Sequence, residues 1–111
     1  MATSDEVLAI VRFRAKPGME AAIEKEVGDV LRRARNEKGY ISCEIYQDND
    51  DQAHYLLYER WQSLDDLMAY NAKDFHKDFV ENRMQELCET TKEMPQYVGV
   101  IEAARFRQIE F

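Results

Sequence analysis

Between Trp61 and His76 the chain holds three side chains suited to chemistry on a small molecule. The His76 imidazole titrates near neutral pH, so its neutral form can accept a weakly acidic proton such as that of a phenol. The Asn71 amide can hold a carbonyl oxygen or an oxygen intermediate. The Trp61 indole can stack on a planar ring and donate one hydrogen bond. These three are the candidate catalytic residues. Each also has a structural use: Trp61 as a core aromatic locking strand to helix, Asn71 as a helix C-cap, and His76 as a solvated residue beside Asp74, Lys77 and Asp78. Tyr46, Tyr58, Tyr70 and Phe79 are candidates for contacting a ligand, and Arg12 for holding an anionic one. Six tyrosines in a short chain also suit packing, and Arg12 and Arg14 can pair with Glu44 or Glu59 across a sheet. His54, near a turn, reads as a surface residue.

Other chemistries find no support. A single helical histidine does not make a metal site, and Cys43 and Cys88 match no metal-ligand spacing. The four glycines are scattered, so no phosphate-binding loop is expected. The net charge of -7 repels a phosphate backbone and an anionic membrane surface alike. No apolar run approaches the ~20 residues needed to cross a bilayer, and the first residues lack the pattern of a secretory signal. The expectation is a cytoplasmic protein with two buried thiols, partnering neither nucleic acid nor membrane.

The elements that must position these residues follow from periodicity. With 111 residues, 45% hydrophobic and 33% charged, the chain suits one small globular domain spanning residues 1–111. Val7, Ala9, Val11, Phe13 and Ala15 alternate along a first strand, with Leu8, Ile10, Arg12 and Arg14 on its other face. Lys16-Pro17-Gly18 ends it. A helical stripe follows: Met19, Ala22, Ile23, Val27, Val30, Leu31 and Ala34. Glutamates come early and arginines late, as the helix dipole favours, and Gly39 fits a left-handed C-cap. Residues 40–48 and 53–61 read as an antiparallel hairpin around Asn49-Asp50-Asp51. Ile41, Cys43 and Ile45 share one face of the first of these strands, and Tyr40, Ser42, Glu44 and Tyr46 the other. Ser63 opens a helix, with Asp66 placed for a capping box and Leu64, Leu67 and Met68 turned inward. The pattern breaks near Asn71, and a further helix is expected from about 73 to about 90. A fourth strand is placed at about 103–111.

Strand, helix, strand, strand, helix, strand is an α+β, ferredoxin-like split β-α-β order, with an antiparallel sheet and helices on one face. Apolar groups on the other face call for a second cover. An isologous homodimer, sheet on sheet, supplies it.

Four motifs resemble the antibiotic biosynthesis monooxygenase family, whose members are dimeric α+β barrels. They are Arg14-Ala15-Lys16-Pro17-Gly18, the stretch from Lys38-Gly39 to Tyr46, the stretch Leu57-Tyr58-Glu59-Arg60-Trp61-Gln62-Ser63-Leu64-Asp65-Asp66-Leu67, and His76. The resemblance implies one cavity per subunit between sheet and helices. It also implies cofactor-independent oxidation of quinol-like or phenolic polycyclic compounds, because a quinol that loses its proton can react directly with oxygen. Two other activities are open at this point: haem binding and degradation, and non-catalytic binding of a small ligand. Haem-degrading relatives use a first-strand Asn, and this chain has Val11 there. The first histidine of the family's pair falls at Asn71, and Lys77 follows His76 where an aromatic is usual. A mechanism that needs both histidines is therefore not carried over.

Overall fold

The structure, a computed structural model, describes residues 6–89 and the backbone of residues 98–105. Strand β1 spans Val7–Arg14, helix α1 Glu20–Ala34, β2 Tyr40–Gln47, β3 His54–Trp61, α2 Leu64–Asn71, α3 Asp74–Asp78, α4 Met84–Leu87 and β4 Val98–Arg105. A π-helical turn, Phe79–Arg83, joins α3 to α4. The strands form one antiparallel sheet in the order β2-β3-β1-β4. This is the expected ferredoxin-like α+β arrangement. No helix among the described residues is long and apolar enough to cross a membrane.

The alternation read in β1 holds, and β3 follows the same pattern. Val7, Ala9, Phe13, Tyr55, Leu57 and Trp61 are buried under the helices. Two clusters make the core. One centres on Phe13, Ile23, Tyr55 and Leu87, the other on Val7, Trp61, Leu67 and Tyr70. Helix α1 contributes Ile23, Val27 and Ala34, the buried members of its predicted stripe. The Arg83 guanidinium holds Glu26 through two hydrogen bonds of 2.6 and 2.8 Å, which fixes the π-helical turn against α1. Both cysteines are free thiols; Cys88 is fully buried as expected, whereas Cys43 is only partly buried.

Several expectations need correction. Gly39 does not cap α1, which already ends at Ala34. It is the third residue of a turn closed by Tyr40 N–H donating to the Glu37 carbonyl at 3.2 Å, and its φ is +85°. That position in a type II turn needs a positive φ. Gly18, φ +82°, occupies the same place in the turn closed between Met19 and Lys16, with Pro17 before it. A β-carbon on Gly39 would collide with the Asp66 side chain. Gly39→Ala should therefore cost roughly 2–4 kcal/mol, from left-handed strain plus overpacking. A shift in the denaturant midpoint at unchanged slope measures it, and an unshifted midpoint would contradict this reading.

The turn has a second effect. Pairing of β2 with β3 slips between Tyr40 and Ser42, so Tyr40 stands opposite Trp61 and packs edge-on against it at 6.0 Å. Tyr40 thus leaves the face shared by Ser42, Glu44 and Tyr46, because a bulge re-aims the residue it displaces. Ser63 caps α2 as expected, accepting from Asp66 N–H at 3.1 Å. The Asp66 carboxylate packs over Gly39 near Lys38, so the second half of the capping box is not made. The long helix expected from 73 to about 90 is instead two short α-helices around a π-helical turn, ending at Leu87. Cys88 already bridges to Ala15 in extended conformation. The fourth strand begins earlier than expected, at Val98; residues 106–111 of the expected range lie outside the described residues.

Candidate active site

A cavity of about 480 Å³ lies where the two core clusters meet, between the sheet and the helices. The sheet supplies Ala9, Val11, Phe13 and Leu57 as its floor, and α1 supplies Val27, Val30 and Leu31. Helix α2 contributes Leu64, Leu67, Met68, Tyr70 and Asn71, and His76 and Lys77 come from α3. The π-helical turn places Phe79, Val80 and Glu81 in the wall. Such turns occur often at functional sites, because the extra residue re-aims side chains that a regular helix would point elsewhere. Leu64 and Met68, expected to point inward, are 39% and 58% exposed, which sets them at the mouth. Most of the wall is apolar, with a few polar groups, as ligand sites commonly are.

His76 and Asn71 meet here, as the sequence suggested. The break between α2 and α3 brings them together. Burial lowers the pKa of the His76 imidazole, and a hydrogen bond to the Asn71 backbone offsets part of the effect. The ring is therefore neutral at neutral pH and able to accept a proton. Tyr70 lies against it with ring centroids 4.6 Å apart. Tyr70 is itself 3% exposed, and burial is the first of the causes that raise its phenol. Phe75 steadies this corner, taking the Arg33 guanidinium at 3.8 Å from its ring centroid.

Trp61 is not part of the lining. It is completely buried, stacked on Tyr70 at 4.9 Å, and its Nε1 donates to Glu59 at 3.2 Å. It supports the cavity from behind, which is the structural alternative weighed for it. Tyr46, Tyr58 and Arg12 lie on the opposite face of the sheet and do not reach the cavity. Tyr46 and Tyr58 instead pack edge to face at 5.9 Å, beside Leu56 and Glu44. Arg14 pairs with Asp51 and Glu89, not with Glu44 or Glu59. Glu59 could never have served, since it sits on the helix side of β3. Of the expected ligand contacts, Tyr70 and Phe79 line the cavity.

Sequence reasoning passed over Glu59 as a cavity residue. It is 8% exposed and lines the cavity. Burial raises its carboxyl, while hydrogen bonds from Trp61 and Cys43 oppose the rise. The signal was its phase, two residues from Leu57 and from Trp61, which places it on the inner face of β3. Among the described residues no three His, Cys, Asp or Glu side chains are arranged to hold a metal ion.

The family model described as antibiotic biosynthesis monooxygenase matches residues 6–82. The chain belongs to the antibiotic biosynthesis monooxygenase family. That match spans β1 through most of the π-helical turn, and so includes every cavity-lining residue except Met84 of α4. No curated protein matches the chain. Solved structures share the fold at low identity. A protein from Shewanella oneidensis has a TM-score of 0.78 and 19% identity, covering 94% of this chain and 93% of that one. A conserved protein from Methanosarcina mazei has a TM-score of 0.77 and 13% identity, covering 94% and 95%. A variant of SnoaB, a cofactor-independent oxygenase from Streptomyces nogalater, has a TM-score of 0.74 and 15% identity, covering 96% of each chain.

Proposed function

We propose that this member of the family is a cofactor-independent monooxygenase that oxidises a quinol-like or phenolic polycyclic small molecule, working as a homodimer. The observation that carries this reading is a neutral imidazole, His76, in the wall of a largely apolar cavity of about 480 Å³. That volume takes a molecule of two or three fused rings. The likeness to SnoaB, described as a cofactor-independent oxygenase, supports the same reaction type.

The chemistry needs one base. His76 takes the proton of a phenolic hydroxyl, and the electron pair released into the ring makes a ring carbon nucleophilic. That carbon forms a bond to dioxygen, and the far oxygen takes up the proton to give a hydroperoxide. The O–O bond then breaks, and a hydrogen on the same carbon leaves as a proton. Water departs and a carbonyl remains. Overall a ring C–H, the phenolic O–H and O2 become two C=O groups and H2O: the substrate ring is oxidised and dioxygen reduced. In this mechanism Asn71 and Tyr70, which line the cavity with His76, contact oxygen atoms of the substrate. Oxygen uptake across a panel of anthrones and hydroquinones tests the proposal. Uptake with at least one class, in proportion to substrate consumed, is expected; a silent panel would count decisively against it.

The dimer rests on the sheet face that the helices leave uncovered. Leu8, Ile10, Leu56 and Tyr58 are only partly buried there, and Tyr46 is 51% exposed. An apolar sheet face of this kind is buried economically by its own copy about a two-fold axis. Wild-type protein should run as a dimer in light scattering at micromolar concentration. Leu56→Glu with Tyr58→Glu should run as a folded monomer, because two carboxylates then face an apolar interface. A monomeric wild type would remove the dimer from the proposal.

A further inference from the structure

We propose that the Glu59 carboxyl is a second binding group of the cavity, donating a hydrogen bond to a carbonyl oxygen of an aromatic ketone or quinone-class ligand. This deepens the function proposed above and rests on the same cavity. Glu59 is 8% exposed yet contributes to the cavity lining, so what little of it is open faces the ligand space. Its Oε1 accepts from Trp61 Nε1 at 3.2 Å, and the Cys43 thiol is its other polar neighbour. Neither neighbour is a cation, and no arginine, lysine or histidine forms an ion pair with Glu59 among the described residues.

A carboxylate buried without a cation is costly, and the group keeps its proton instead. A neutral carboxyl has one O–H to give. The Trp61 indole can only donate and the Cys43 sulfur accepts only weakly, so that proton has no strong acceptor among these partners on β2 and β3. The ligand is the acceptor that completes the set. Cys43 from β2 and Tyr70 from α2 both feel the Glu59 carboxyl, and both are raised by burial and neutral at neutral pH. His76 lies beyond Tyr70, and Lys77 and Glu81 are exposed lining residues. The floor from β1 and the wall from α1 carry no charged lining residue. The cavity thus pairs a neutral acid with a neutral base, a division of labour that opposed shifts of two titratable groups produce. The base takes the phenolic proton, and the acid holds the oxygen on which carbonyl or anionic character resides.

The test compares 1-tetralone with tetralin, two bicyclic probes that differ only in the carbonyl. Wild-type protein should bind the ketone about tenfold more tightly, the size of one good hydrogen bond. Glu59→Gln, whose amide still donates, should keep most of that preference, and Glu59→Met should lose it. With tetralone labelled with carbon-13 at the carbonyl, its infrared stretch should move to lower frequency in wild-type protein and return to its position in apolar solvent in Glu59→Met. In wild-type protein without ligand, the stretch of a protonated carboxylic acid should be visible at neutral pH and absent from Glu59→Gln. Equal affinity of the wild type for the two probes overturns the proposal. So do an unmoved ketone stretch, failure of the wild type to bind tetralone, and a preference that survives in Glu59→Met. The readouts are binding and vibration, so they stand even if no quinol is ever oxidised. A positive result here beside a silent oxygen-uptake panel would sink the monooxygenase reading alone.

Discussion

His76→Ala should lower oxygen-dependent turnover of a quinol by roughly 10²- to 10⁴-fold, the range for loss of a general base. The fold should survive, because the His76 side chain is half-buried and lies outside both core clusters. The pH profile separates the loss of a base from the loss of a shape. Burial pulls the His76 pKa below the ordinary value of about 6.5. Its neutral form, the one that accepts a proton, therefore persists below pH 6.5. Wild-type kcat/KM should stay flat as pH falls through 6.5, then drop when the imidazole finally protonates. In His76→Ala that acid limb should vanish from the residual activity. An unchanged limb would assign the titration to another group. Stability runs with the same sign: a histidine with a lowered folded pKa favours the folded state above about 6.5, and that contribution is lost as pH falls through the folded value.

The second large effect concerns Trp61. Trp61→Ala should destabilise the protein by about 3–5 kcal/mol, as removing a fully buried large aromatic does. The side chain is wholly buried, stacks on Tyr70 and meets Tyr40 edge-on, so its removal leaves a hole behind the cavity wall. It also takes from Glu59 the indole N–H. Loss of activity in this variant would follow from loss of packing, even though Trp61 does not line the cavity. Trp61→Phe is the milder change: it keeps one stacked ring and loses the N–H together with part of the indole's volume. Chemical denaturation should show most of the stability restored in Trp61→Phe. If Trp61→Ala unfolds at the wild-type midpoint, the core assignment of this residue is wrong.

Sequence periodicity carried much of the fold. Helix α1 was legible because its apolar stripe, early glutamates and late arginines agree. Strands β1 and β3 were legible because short runs rich in apolar and aromatic residues are bounded by the turn residues Lys16-Pro17-Gly18 and Asn49-Asp50-Asp51. The misreadings share a physical origin, namely single-residue shifts in backbone geometry that leave no periodic trace. The slip beside Tyr40 moves one aromatic across the sheet. The π-helical turn at Phe79–Arg83 inserts a residue into what reads as one continuous helix. Gly39 announces a positive φ but not which turn requires it.

The site was legible in part for the same reasons. His76, Asn71, Tyr70 and Phe79 converge because the break after α2 and the π-helical turn point them at one space. Tyr46, Tyr58 and Arg12 fall away because a strand alternates faces, and theirs is the face without helices. Glu59 was hidden by its charge. A glutamate within a strand reads as a solvent-facing residue or an ion-pair partner, and only its phase with Leu57 and Trp61 says otherwise.

Oxidation of anthrone under oxygen-18 gas tests most directly the central claim, that the cavity oxidises a phenolic ring with dioxygen alone. Chelator-treated protein should consume one dioxygen per anthrone, leaving one labelled oxygen in the new carbonyl of the product and the other in water. Product without label, or no consumption of anthrone above the protein-free rate, would contradict it.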